Sequence, residues 1–172
     1  VRDAMAVAFF HSKKNVVKIQ NAIDKSNDLA SVFDVVRDGK IDELEKIVRE
    51  NDGKIAAIIM EPVHGSEPKR NFLQKIRAIA NSIGAVLVFD EITIGWKLAF
   101  GGAHLKYKVA PDIAIFAKAI ANGFPMAAII GKRSVMQAAQ DTFISSTFWT
   151  DRIGPAAALA TIKKMNRVHL HK

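Results

Sequence analysis

"IAAIIMEPVHGSEPKRNFLQKIRAIANSIGAVLVFDE", residues 55–91, decides the fold. It opens with six apolar residues in a row, 55–60, the pattern of a strand buried on both faces. Glu61-Pro62 ends that run. "NFLQKIRAIANSIG" then puts Phe72, Leu73, Ile76 and Ile79 on one helical face, with Gly84 as the stop signal. "AVLVF" (85–89) is a second buried strand and closes on Asp90-Glu91. Apolar strands alternating with amphipathic helices predict an α/β domain: a mainly parallel sheet flanked by helices.

Upstream, "KIDELEKIVREN" (40–51) is an amphipathic helix. Ile41, Leu44, Ile47 and Val48 share one face, and Glu45 and Arg49 are spaced to pair on another. Residues 20–39 are polar and poorly periodic and read as irregular, "NVVKI" (15–19) reads as a short strand, and residues 2–10, with "AMAVAFF", read as a helix apolar all round. Downstream, after a loop with Gly95, Gly101 and Gly102, a third strand runs from Ile113 to Ala117 and ends at Lys118. "MAAIIG" (126–131) is a fourth, reached through a tight connection at Asn122-Gly123, and "FISST" (143–147) is a candidate fifth. "GPAAALATIKKM" (154–165) is a helix with Pro155 in its first turn.

The bulk composition excludes several classes of protein. The chain has 172 residues, 49 % hydrophobic and 24 % charged, which suits one globular domain with a real core. Its apolar runs are strand-sized and far shorter than a bilayer span, and no secretory leader is visible, so the expectation is a cytoplasmic protein with no membrane partner. Without cysteine, thiolate metal sites and disulfides drop out. His169 and His171 read as tail residues, so no metal is expected. The formal charge of +8 raises nucleic acid as a partner, but the basic residues are spread in pairs such as Lys13-Lys14 and Lys132-Arg133, with no aromatic-interleaved stripe. That dispersal weighs against direct nucleic-acid binding. A start at Val1 and an end in "HLHK" set the expectation of a piece of something longer.

Parallel sheets bind ligands outside the carboxyl ends of their strands. The residues ending the three clearest strands are Glu61, Asp90 and Lys118, and if those strands are neighbours the three face one crevice. Asp90 and Lys118 could simply neutralise each other as a structural ion pair. A nucleotide-hydrolysing reading of the Asp-Glu strand end needs a G-x-x-x-x-G-K-[ST] loop, which the sequence lacks. The other reading is a cofactor whose carbonyl condenses with the lysine and whose ring nitrogen needs an anion, and pyridoxal phosphate meets both demands.

"VLVFDEITIGW…GG…PDIAIFAKAIANGFPMAAIIGKR", followed by "SSTFWTDRIGPAAALATI", resembles the class III pyridoxal-phosphate-dependent aminotransferases, and most closely their glutamate-1-semialdehyde 2,1-aminomutase branch. The resemblance runs from about residue 55 to 165 through several ordered motifs. It implies that residues 1–172 are the central part of a type I large, cofactor-binding domain, without the N-terminal segment and the C-terminal small domain. It implies pyridoxal 5'-phosphate as cofactor, Lys118 as the Schiff-base lysine and proton shuttle, and Asp90 as partner of the protonated ring nitrogen. Ile92 stands where the family has a valine against one ring face. Ser66, in "EPVHGS", stands where the aminomutase branch has an asparagine near the ring hydroxyl. Thr150 matches the threonine that reaches the cofactor phosphate of the neighbouring subunit, with Thr147 as the fallback, so the resemblance also implies a homodimer with shared active sites. Glu61 begins the Glu-Pro motif, and His64, on the same loop, is a candidate substrate contact.

The chain also departs from the family pattern. "NAIDKSNDLA" stands where a Gly-aromatic-His-Gly motif supplies the ring that stacks on the cofactor, and the upstream phosphate loop is missing. Ile94 replaces a threonine or serine, and Trp96-Lys97 a Phe-Arg. The reading is therefore transfer of an amino group between an amino acid or amine and a keto acid or semialdehyde. Beside it stand a catalytically inactive scaffold that keeps the fold without the chemistry, and a basic nucleic-acid-binding domain.

Overall fold

The computed structural model describes residues 6–11, 33–37, 39–141 and 151–168, with side chains from residue 39 onward. They form two compact units, Val1–Val88 and Phe89–Lys172.

The first unit carries strands β1 (Ala6–His11), β2 (Phe33–Arg37) and β3 (Ile55–Met60), and most of β4 (Val86–Asp90). Its strand order is β2-β1-β3-β4. β1 runs parallel to both neighbours, with Val7 opposite Phe33 on one side and Ala57 on the other. Two sequence expectations fail here. Residues 6–11 are a strand, not part of a helix, because an apolar run with no period takes its form from its neighbours, and β1 lies between two strands. Residues 33–37 are a strand within a stretch that reads as irregular. The expected strand at 15–19 lies outside the described residues.

Helices α1 (Ile41–Glu50) and α2 (Phe72–Ile83) form where the periodicity puts them, and they contact each other as well as β2 and β3. α1 buries Leu44 and carries Asp42 and Glu43 in its first turn, where the helix dipole favours negative charge. Its exposed ion pair is Lys46–Glu50 at 3.7 Å rather than Glu45 with Arg49. α2 buries Phe72, Leu73, Ile76 and Ala80, while Ile79 stays half-exposed. Gly84 ends it at φ 68°, and the Ala85 N–H closes back on the Ala80 carbonyl at 2.9 Å, a Schellman stop that favours glycine. Ile58, Leu73, Ile76 and Leu87 are at most 1 % exposed, and each such side chain contributes about 1.5–3 kcal/mol by leaving water.

The second unit begins at the end of β4 and contains α3 (Ala103–Tyr107), β5 (Ile113–Phe116), β6 (Ala128–Gly131), a short α4 (Arg133–Met136) and α5 (Ile153–Val168). β5 and β6 are antiparallel, with Phe116 opposite Ala128, so the sheet is mixed and mostly parallel. α3, in the glycine-containing loop, has no signal in the sequence long enough to announce it. Ala114, Phe116, Ile120 and Ala121 form a core with Ala158 of α5. The Asp151 carboxylate caps α5 by accepting from the Ile153 N–H at 2.8 Å. The candidate strand at 143–147 lies outside the described residues. Among the described residues no helix is long and apolar enough to cross a membrane.

Candidate active site

β4 ends at Asp90, and the chain then turns sharply rather than running on. The Asp90 side chain makes that turn: its Oδ1 accepts the Ile92 N–H at 2.9 Å. The backbone is still tied to the sheet one residue later, where the Glu91 N–H donates to the Ile115 carbonyl of β5 at 2.9 Å. The Gly95 N–H then donates to the Glu91 carbonyl at 2.8 Å and closes the turn. Only glycine fits at 95, since a Cβ would lie 2.7 Å from both the Glu91 carbonyl and the Phe116 ring. Trp96 follows at φ 68°, edge-on to Phe100 with centroids 5.3 Å apart, and packs against the core of this unit.

Glu91 is fully buried. Its Oε2 accepts the Ala103 N–H at 2.7 Å, and its Oε1 accepts the His104 N–H at 3.0 Å and faces His104 Nδ1 at 2.8 Å. One carboxylate thus satisfies the otherwise orphaned donors at the start of α3 and an imidazole, which is why it tolerates complete burial. Gly102 lies so close that a Cβ there would collide with His104 Nδ1. The sequence reading singles out neither Glu91 as an anchor nor His104 as its partner.

On the neighbouring strand, β5 stops at Phe116, two residues short of the expected end at Lys118. Ala117 is extended, and Lys118 turns into the left-handed region at φ 49°. A non-glycine residue held there is strained by roughly 1–3 kcal/mol and persists where its surroundings fix it. Here the Asn122 N–H donates to the Lys118 carbonyl at 3.1 Å, and Ile120 and Ala121 are buried behind it. The Lys118 side chain is exposed, and its Nζ donates to Thr93 Oγ1 at 2.9 Å. Among the described residues no carboxylate pairs with Lys118 and no cation pairs with Asp90. Thr93 escapes the sequence reading, although it stands three residues beyond Asp90 in the same loop.

Glu61, His64 and Ser66 belong to the first unit, on the turn after β3. Glu61 Oε2 pairs with His64 Nδ1 at 2.9 Å, and the exposed Ser66 donates its N–H to the His64 carbonyl at 2.7 Å. Ile92 is half-buried beside Asp90 in the second unit. Thr147 and Thr150 lie outside the described residues. Among those described, no three His, Asp or Glu side chains gather as a metal cluster would require.

Comparison with known proteins gives this geometry a context. The family model described as aminotransferase class-III matches residues 4–172. The chain is 37 % identical over 145 residues to the glutamate-1-semialdehyde 2,1-aminomutase of Ignicoccus hospitalis, covering 80 % of this chain and 34 % of that one. It is 39 % identical over 134 residues to the 3-aminobutyryl-CoA aminotransferase of Cloacimonas acidaminovorans, covering 74 % and 32 %. The chain therefore spans about a third of the length of the curated relatives it matches. Among solved structures, the FumI protein of Sphingopyxis sp. MTA144 in its PLP internal aldimine form superposes with a TM-score of 0.74 at 25 % identity, over 78 % of this chain and 34 % of that one. A transaminase from the marine bacterium Virgibacillus gives a TM-score of 0.78 at 19 % identity, over 96 % and 43 %, and shares the fold.

Proposed function

The chain belongs to the class III aminotransferases, and from that membership we propose that it is part of the large, cofactor-binding domain of an enzyme that moves an amino group with pyridoxal 5'-phosphate. One observation supports this most. The Lys118 amine is exposed and held by a hydroxyl, with no carboxylate of the described residues on it, while among the described residues no cation pairs with the Asp90 carboxyl group. A structural ion pair would have joined the two. Left apart in one unit, they suit a group that brings a carbonyl for an amine and a basic nitrogen for a carboxylate.

When bound, the cofactor supplies an electron sink for the bonds at a substrate's α-carbon. Lys118 would hold the cofactor covalently through Nζ, and the same amine would serve as acid and base for the α-proton. Asp90, oriented by its own turn hydrogen bond, would hold a proton on the ring nitrogen. Ile92 would pack against the ring, and Ser66 would offer a hydroxyl donor to it. Thr150 (or Thr147) binds the phosphate of a neighbouring subunit in a homodimer. Glu61 and His64 contact a substrate that is an amino acid or amine, exchanged with a keto acid or semialdehyde. The compartment is the cytoplasm.

The test is to mix the chain with pyridoxal phosphate, record the visible spectrum, reduce with borohydride and map the modified peptide. A new band that bleaches on reduction, with the label on Lys118, supports the reading. A folded chain with Lys118 unlabelled overturns it in favour of an inactive scaffold.

A further inference from the structure

We propose that Thr93 is a positioning residue for Lys118: its hydroxyl holds the Nζ amine over the turn that Asp90 opens and so sets the direction from which that amine meets a carbonyl. This rests on the reading that Lys118 condenses with pyridoxal phosphate.

The Lys118–Thr93 hydrogen bond is solvent-exposed, and such a bond contributes little to folding. Its two ends, however, are unusually well anchored. Thr93 sits in a turn pinned on three sides: Glu91 N–H on the Ile115 carbonyl, Gly95 closed against Glu91 and Phe116, and the buried Glu91 carboxylate on the start of α3. Lys118 leaves β5 two residues after the same Phe116, in a left-handed conformation secured by the Asn122 N–H. Phe116 thus braces both arms, and the hydroxyl and the amine meet across a fixed span. A lysine side chain otherwise explores many rotamers, so an acceptor on a rigid support removes freedom that the reaction would have to remove.

The residue type suits the task. A threonine hydroxyl accepts from an ammonium and, by rotating, donates to a neutral amine, so it keeps hold of Nζ in either protonation state. A carboxylate would favour the ammonium and hold back the lone pair. In the condensation itself the Nζ lone pair forms the bond to the carbonyl carbon, and the carbonyl oxygen leaves as water with the two amine hydrogens. Nothing is oxidised or reduced.

The experiment compares the wild-type chain with T93V, which keeps the shape and loses the hydroxyl, and T93S, which keeps the hydroxyl. Each is mixed with pyridoxal phosphate, quenched with borohydride at increasing times, and the label is quantified at Lys118 and at the exposed Lys108. T93V is expected to slow labelling at Lys118 roughly ten-fold while Lys108 is unchanged, and T93S to stay within about two-fold of wild type. Equal rates at Lys118 in wild type and T93V overturn the role of Thr93 alone. Slowing at both lysines, or in T93S as much as in T93V, also overturns it, since that marks a general structural effect. A wild-type chain that takes no label at Lys118 overturns the cofactor reading, and the proposal with it.

Discussion

Each unit carries a glutamate–histidine pair whose glutamate directly follows a strand, and the two pairs differ in almost everything except their distance. Glu61 and His64 are 2.9 Å apart, three residues apart in sequence, with side chains 25 % and 37 % exposed. Glu91 and His104 are 2.8 Å apart, thirteen residues apart, with side chains 0 % and 21 % exposed. The first pair joins neighbours that the chain already holds together, within reach of water that can replace either partner. The second ties the end of β4 to α3, and its carboxylate also satisfies two backbone N–H groups, that of Ala103 buried and that of His104 partly so. Equal distances therefore conceal unequal energies. What separates the pairs is the number of donors stranded if the carboxylate is lost.

Removing that carboxylate is the most severe way to break the contrast. E91A should destabilise the chain by about 2–3 kcal/mol, because the buried Ala103 N–H and the partly buried His104 N–H and imidazole lose their common acceptor. The drop should appear as a lowered urea midpoint. G95A attacks the same turn from its other side: a methyl group against the Glu91 carbonyl and the Phe116 ring should cost about 2–3 kcal/mol in the same measurement. E91Q keeps the shape and one acceptor oxygen but turns an amide donor toward a donor, so its cost should be about 1–2 kcal/mol. E61A and E61Q, the equivalent cuts in the more exposed pair, should each cost no more than about 1 kcal/mol. A loss in E61A as large as that in E91A would mean that the donors stranded by the lost carboxylate are not what separates the two pairs.

The same contrast explains what could be read from the sequence. Contacts between near neighbours in sequence leave a pattern: the apolar run at 55–60, the helical face of Phe72, Leu73 and Ile76, and the Gly84 stop all appear as elements. Asp90 and Lys118 stand out because each follows an apolar strand where the strand stops. The Glu91–His104 tie leaves none, since a carboxylate reaching across thirteen residues to the start of a five-residue helix has no period and no spacing rule. Thr93 is hidden for a similar reason, because its partner is 25 positions away. β1 is the instructive error: "AVAFFH" has no polar face to mark its period, and only the strands on either side of it decide its form.

Lys118 holds its amine from a backbone that glycine would adopt more easily, at φ 49°. Deleting the side chain there should therefore leave the main chain undisturbed, and K118G should lie within about 1 kcal/mol of wild type. That makes the position suited to chemical complementation. With the tether gone, a small primary amine such as ethylamine, supplied from solution, could stand in for the missing Nζ beside Thr93. The separate contributions of the amine and of its attachment to the protein could then be measured one at a time.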